Sequence, residues 1–217
     1  MKLEHTINTT KRNSKSVDAE DFFETQDNTI DILYNNYYKN LSDIDYFTFL
    51  DFSMGYGAIL KRLNILNPNV KVYGSDLIDR IGNQTCDMLD LENGKSKIFN
   101  YYIKDKNGLI HIVMNPPFNL LTKTLDYYLE LKSKYPNIKS ISILHSLRAL
   151  EGKRRHEILD KYGYPSLILH MTKRQGFNTY FNDKVHTWTP PFSCVWSIWD
   201  DNSSLESGHT RLKYIKD

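Results

Sequence analysis

Six short apolar runs alternate with amphipathic stretches along the chain, and this alternation restricts the fold more than any other feature. The runs are Phe47–Phe52, Val70–Gly74, Leu109–Met114, Ile138–His145, Ser166–Met171 and Cys194–Trp199. Segments such as FTFLDF and LIHIVM have the length and apolar content of buried strands. Between the runs lie helical candidates at Ala58–Ile65, Leu120–Lys134 and Glu151–Tyr162. Ahead of them all, FFETQDNTIDILYNNYYKNL predicts an amphipathic helix that begins with aromatic residues. Strands alternating with helices predict an α/β fold, a mostly parallel Rossmann-like sheet with helices on both faces. The last two runs are joined by a long segment without a helical pattern, which predicts that the last strand is antiparallel and closes the sheet. No internal repeat of fixed period is present, so solenoids and propellers are excluded.

The chain has 217 residues, 40% of them apolar and 13% aromatic, enough for one domain with a real core. Residues 1–20 are polar and lack aromatic residues; they predict a flexible tail, with a basic arm at Lys11, Arg12 and Lys15 as the alternative. Residues 21–217 are expected to form the folded domain. No window approaches the roughly 20 apolar residues of a membrane span, and no secretory signal is visible. Cys86 and Cys194 are too few and too far apart for a disulfide framework, which points to the cytoplasm or another reducing space. The formal net charge of +2 neither demands nor excludes a nucleic-acid partner. The seven histidines show no metal-ligand spacing, no Ser-His-Asp order comes with an elbow motif, and no metal is expected.

At the end of the first run, Asp51-Phe52-Ser53-Met54-Gly55-Tyr56-Gly57 leaves a strand and enters a helix. Gly55 and Gly57 permit a tight turn and a close approach of a ligand to the main chain, although many such turns carry glycines for steric reasons alone. Asp76 ends the next strand, where an acid can accept both hydroxyls of a ribose; it can equally cap a helix. Asp87 follows, either as an acceptor for an adenine amino group or as an ordinary loop residue.

The most specific motif is Asn115-Pro116-Pro117-Phe118, directly after LIHIVM. Two prolines stiffen the turn at the strand's carboxyl end. The Asn115 side-chain oxygen and the Pro116 carbonyl can then hold both hydrogens of a planar exocyclic amine and draw its lone pair out of conjugation. Phe118 offers a flat apolar face to an extruded base. Catalysis of this kind works by positioning and hydrogen-bond polarisation, without a covalent enzyme intermediate. The alternative is a plain structural turn.

With these motifs the sequence resembles the S-adenosylmethionine-dependent N6-adenine DNA methyltransferases over most of residues 21–200. Phe23-Glu24-Thr25-Gln26 is similar to the family's segment that touches the methionine part of the cofactor, with Gln26 where proline is usual. DFSMGYG, including Asp51, Ser53, Gly55 and Gly57, corresponds to its glycine motif, with Phe52 where proline is commoner. The resemblance implies that Asp76 holds the cofactor ribose, Asp87 its adenine, and NPPF the methyl-accepting amine. Leu150-Glu151-Gly152 with Arg154 and Arg155, then Pro165, Lys173-Arg174 and Phe177, looks like the small single-domain enzymes of phages and prophages.

Arg155, Lys173 and Arg174 are candidates for phosphate contacts, whereas Lys153 and Arg154 taken singly read rather as a solvated helix face. Gln175–Pro191 reads as a long loop whose Phe177 and Phe181 either stack on a flipped base or, as with Phe181 and Trp188, cap the sheet edge. No separate target-recognition domain is expected, so selectivity should come from this segment, the N-terminal arm or a partner chain, with the oligomeric state open. RNA amine methylation, glutamine methylation by the related NPPY motif, and an inactive cofactor-binding nucleic-acid module are the competing functions. Cys86 lacks a Pro-Cys context, so thiolate chemistry on cytosine finds no support.

Overall fold

The computed structural model describes residues 23–42, 44–181, 184–201 and 208–216. The expected N-terminal tail, with Lys11, Arg12 and Lys15, lies outside the described residues.

Strands β1 (Glu24–Thr25), β2 (Phe47–Asp51), β3 (Lys71–Asp76), β4 (Gln84–Thr85), β5 (Leu109–Met114), β6 (Ile138–Ser146) and β7 (Leu167–Met171) precede a pair, β8 (Phe177–Phe181) and β9 (Lys184–Trp188). β10 (Cys194–Asp200) and β11 (Arg211–Ile215) follow. The helices are α1 (Asp27–Asn36), α2 (Ala58–Leu66), α3 (Leu121–Lys134) and α4 (Lys153–Tyr162). Eight strands form one sheet in the order β11-β7-β10-β6-β5-β2-β3-β4. All its pairings are parallel except those of β10, which runs antiparallel to both β6 and β7.

Alternate residues of the central strands feed two separate cores. Leu50, Ile110, Ile112, Met114, Ile141 and Ile143 pack with Leu125, Tyr128 and Leu129 of α3 and Leu159 of α4. Phe49, Val113, Leu144, Trp196 and Ile198 pack with Ile30 and Leu33 of α1 and Leu60 and Leu63 of α2. The two-residue period of the strands thus gives a three-layer α/β sandwich with helices on both faces.

Three expectations are corrected. The N-terminal helix is shorter than its polar–apolar pattern suggests: Glu24-Thr25 is a strand, paired with Asn178 and Phe177, and the helix starts at Asp27. The segment Gln175–Pro191 is not a loop but chiefly a hairpin, β8–β9, which forms a small second sheet with β1. The antiparallel strand Cys194–Asp200 lies where expected, but β11 comes after it and pairs parallel to β7 at the edge.

The chain runs from β2 outward to β3 and β4, then returns to place β5 on the other side of β2. This reversal opens a crevice at the carboxyl ends of β2 and β5, the usual ligand position of an open α/β sheet. Close packing of the glycine turn supports one side of it. A Cβ on Gly74, which pairs with Asp51, would lie 2.7 Å from both Leu60 and Met54 side chains and 2.8 Å from the Asp51 carbonyl oxygen. Gly74→Ala is therefore expected to destabilise the protein by about 1–3 kcal/mol through overpacking. A urea midpoint equal to that of the wild type would show that this packing is slack.

Candidate functional site

Asp51, at the carboxyl end of β2, is only 1% exposed. Its Oδ1 accepts the Ser53 amide at 2.9 Å and the Ser53 hydroxyl at 3.2 Å, turning the chain sharply out of the strand. Gly55 and Gly57 then adopt φ of +55° and +80°, conformations that other residues rarely reach. Asp76 ties this turn to the neighbouring strand. Its Oδ2 accepts the Gly55 amide at 2.8 Å and its Oδ1 the Ile78 amide at 3.1 Å, while the Met54 amide donates to the Ser75 carbonyl at 3.2 Å. A carboxylate offers about four acceptor directions, so Asp76 retains capacity for a ligand hydroxyl. Asp87 stands two residues beyond β4, exposed, with its Oδ1 taken by the Leu89 amide at 2.8 Å.

Burial pushes the Asp51 carboxyl up to about 7; the two Ser53 bonds oppose the shift and the neighbouring Asp76 charge adds to it.

Across the crevice, Asn115 follows β5 directly. Its Nδ2 donates to the Phe23 carbonyl at 2.9 Å and to the Thr25 hydroxyl at 3.1 Å. Both amide hydrogens are used by β1 and the residue before it, so the orientation of the amide follows from the network, and Oδ1 is left to accept. Phe118 lies edge-on to Phe177 at 6.2 Å and to Phe192 at 5.8 Å. Phe23 completes the cluster, 4.8 Å from Trp188.

No protein-family model matches the sequence, and no curated protein matches it significantly. Solved structures do match. The methyltransferase subunit of a type I restriction-modification system from Streptococcus thermophilus is 15% identical, with 84% of this chain and 45% of that one aligned and a TM-score of 0.55. The fold is that of a class I methyltransferase. The chain spans less than half the length of that subunit. Two more remote matches are precorrin-6y C5,15-methyltransferase from Geobacter metallireducens and TrmN from Thermus thermophilus. The first is 11% identical over 84% of this chain and 95% of its own, with a TM-score of 0.45. The second is 16% identical over 70% and 43%, with a TM-score of 0.39.

On this sheet the residues singled out in the sequence form two groups, with three cations apart from them. Asp51, Ser53, Gly55, Gly57 and Asp76 are joined by direct hydrogen bonds or by the turn itself, with Asp87 beside them on the same edge. Asn115, Phe118, Phe23 and Thr25 form the second group, so Thr25 sits with the NPPF turn. Pro116 and Pro117 carry the chain from β5 into the turn of Phe118–Leu120, where the Leu120 amide donates to the Pro117 carbonyl at 2.9 Å. Arg155 lies at the start of α4 beside Thr122 of α3, whereas Lys173 and Arg174 follow β7 and lead to Gln175, which is bonded to α1 on the other face of the sheet. Phe177 is fully buried and backs Phe118 rather than facing the crevice. The Phe181 side chain lies outside the described residues.

Sequence reasoning missed Gln175 and Tyr56. Gln175 is buried and accepts from the Asn28 amide at 3.1 Å and the Thr29 hydroxyl at 3.0 Å, fastening the root of the hairpin to α1. Tyr56, in the glycine turn, packs 4.9 Å from Tyr180 of the hairpin. Both are long-range interactions without a local pattern.

The raised pKa of Asp51 has a defined consequence for stability. Its folded value of about 7 lies above the ordinary 3.8, so folding favours the protonated form. That contribution is complete below about 4 and is lost as the pH rises through about 7. The melting temperature of the wild type should fall over this range more than that of Asp51→Asn, by about 2–4 °C for each kcal/mol involved. Parallel curves for the two proteins would contradict the assignment.

Proposed function

We propose that the protein transfers a methyl group from S-adenosylmethionine to the N6 amino group of adenine in DNA, with the base turned out of the helix onto the NPPF turn. The observation that carries the proposal is the Asn115 amide. Its hydrogens are spent on Phe23 and Thr25, which leaves Oδ1 and the adjacent Pro116 carbonyl as a pair of acceptors at the strand end. A pair of acceptors suits a group with two hydrogens, such as an exocyclic amine, and does not suit a hydroxyl or thiol acceptor equally well.

The residues across the crevice suit the cofactor. The turn at Gly55 and Gly57 allows close approach, Asp76 keeps free lone pairs for ribose hydroxyls, and Asp51 provides a carboxyl group within the turn. Leu77 and Ile81, 53% and 46% exposed, offer apolar surface next to Asp76 for a purine ring. Asp87 is the acceptor for its amino group. Bound S-adenosylmethionine supplies an electrophilic methyl group.

The chain's own residues do the rest. Asn115 Oδ1 and the Pro116 carbonyl hold the two hydrogens of the target amine and pull its lone pair out of conjugation with the ring. Phe118 supports the base, held in place by Phe177 and Phe192 behind it. Pro116 and Pro117 keep the two acceptors fixed, so little reorganisation accompanies reaction. Arg155, Lys173 and Arg174 on the same edge serve the phosphates of the nucleic acid. Phe181 and the β8–β9 hairpin are positioned in sequence to contribute to base selection, since a two-stranded ribbon fits the major groove. No helix among the described residues is long and apolar enough to cross a membrane.

Incubation of the protein with labelled S-adenosylmethionine and DNA, RNA or protein tests the substrate, followed by identification of the modified base. N6-methyladenine in DNA is the expected product; label only in RNA or protein would overturn the proposal. Asn115→Ala should abolish transfer while cofactor affinity, read by calorimetry, changes little. Undiminished methylation by that variant would sink the mechanism.

Thr25→Val separates two roles for Thr25. Acting through Asn115, it lowers kcat by about tenfold, the value of one lost hydrogen bond of about 1.4 kcal/mol, with cofactor affinity retained. A weakened cofactor affinity at unchanged kcat would instead assign Thr25 to the methionine part of the cofactor.

A further inference from the structure

Next to the NPPF turn lies a second, separate cavity of about 430 Å³. One wall comes from Asn119, Thr122 and Lys123, where the chain leaves Phe118 and begins α3; the other comes from Lys153, Arg154 and Arg155 at the start of α4. Four cations line it and no carboxylate does. Ion pairs among the described residues join Arg62 to Asp27 and Asp31, Lys132 and Lys139 to Asp201, and Lys134 to Glu92, but none involves these four. Cations gathered around one hollow repel each other unless an anion occupies it.

Arg155 is held in place rather than left in solvent. Its Nε donates to the Glu151 carbonyl at 2.7 Å, and its Nη1 donates to the Thr122 hydroxyl at 3.2 Å across to the opposite wall. Gly152, at φ +107°, makes the turn that brings the guanidinium back over the backbone: a Cβ there would lie 3.5 Å from Nη2. A guanidinium fixed by two of its donors presents the remaining ones at a set place, the arrangement that suits a tetrahedral oxyanion. Asn119, Lys123, Lys153 and Arg154 are exposed, so the hollow is open to a group carried on a long polymer.

We infer that this cavity binds a backbone phosphate of the DNA strand that carries the target adenine, next to the nucleotide held on the NPPF turn. The inference rests on the proposed function for the choice of DNA. The chain continuity of Phe118 and Asn119 explains why the site is there: the helix that begins just after the base-holding turn also forms one wall of the phosphate site. Fixing the phosphate beside a flipped nucleotide fixes the sugar and base with it. Lys123 and Asn119 carry no sequence motif, and Lys153 and Arg154 look like a solvated helix face until α3 is placed opposite them.

The test is the binding of a short fluorescein-labelled DNA duplex by the full chain, read by anisotropy over a range of salt concentrations. An RNA of the same sequence serves as the second probe. Lys123→Ala/Arg154→Ala should weaken DNA binding tenfold or more and reduce the slope of log affinity against log salt by about one, the contribution of one neutralised phosphate. Lys123→Arg should restore most of the loss at that position. Cofactor affinity and melting temperature, measured on the same samples, should stay near wild type.

DNA affinity and salt slope unchanged in the folded double variant would overturn the inference, as would a loss confined to the RNA probe. Because binding is read without methyl transfer, the two proposals fail separately. Weakened DNA binding by the double variant, in a protein that forms no N6-methyladenine, upholds the phosphate site and removes the adenine function. Normal adenine methylation with an unchanged KM for DNA in the double variant does the reverse.

Discussion

A parallel sheet sealed on both faces leaves only the ends of its strands in contact with water, and the organisation of this molecule follows from that constraint. β2, β5 and β6 are covered by α1 and α2 on one side and by α3 and α4 on the other. Most of the polar side chains between the layers are paired, the Tyr38 hydroxyl donating to Ser142 at 2.8 Å and His145 Nε2 lying 2.8 Å from the Ser197 hydroxyl, whereas His111 Nε2 is buried without a hydrogen-bond partner among the described residues. Burial drives His111 down to about 3 and His145 down to about 4, so both are neutral structural groups at physiological pH. The strand ends at the carboxyl edge are the usual ligand position of such a sheet. There the reversal of strand order between β2 and β5 brings Asp51 and Asn115 to the two sides of one crevice although they are far apart in sequence.

The edge would be open on its far side without the small sheet. β1 and the β8–β9 hairpin come from opposite ends of the chain and pair only with each other. Gln175 ties the hairpin to α1, Gln26 Nε2 donates to Asn178 Oδ1 at 3.1 Å, and Phe177 fills the space behind Phe118. The Asn115 amide is fastened to this structure, through Phe23 and Thr25, rather than to its own strand. The orientation of its acceptor oxygen and the ordering of β1 are thus one event: a chain in which Glu24-Thr25 leaves β8 also releases the amide. Tyr180 against Tyr56 extends the link to the glycine turn, so the two sides of the crevice share a mechanical connection through the hairpin.

How much of this is visible in the sequence depends on the range of the forces concerned. The six apolar runs became β2, β3, β5, β6, β7 and β10 with ends shifted by no more than two residues, because burial on two faces leaves a dense local apolar signal. Asp51, Gly55, Gly57, Asp76 and Asn115 were legible because strand ends and turns demand particular residue types. The small sheet was not. Glu24-Thr25 is too short to carry a period, and β8 and β9 mix polar and aromatic residues that acquire strand geometry from each other and from Thr25. β11, exposed along most of its length, has no apolar face to announce it. The wall opposite Lys153 was invisible for another reason: α3 and α4 are adjacent only in three dimensions.

The small net charge acquires a spatial meaning from this arrangement. α3 begins at the carboxyl edge and ends at the opposite one, where Lys132 and Lys134 meet Asp201 and Glu92, and where Lys139 at the start of β6 also approaches Asp201. Acids thus neutralise cations at the amino edge and between α1 and α2, where Arg62 meets Asp27 and Asp31. At the carboxyl edge Lys123, Lys153, Arg154 and Arg155 line a hollow without an acid among them. A sum of +2 therefore conceals a local cluster of four cations beside the NPPF turn, set apart from the acids Asp51, Asp76 and Asp87 that stand with the glycine turn on the same edge. On the proposed function, such a local cluster would concentrate a polyanion beside the NPPF turn without the broad positive charge that would hold nucleic acid over the whole surface. On that same proposal, attraction confined to one place would also orient the polymer, since only strands passing the cluster would bring a nucleotide to Asn115.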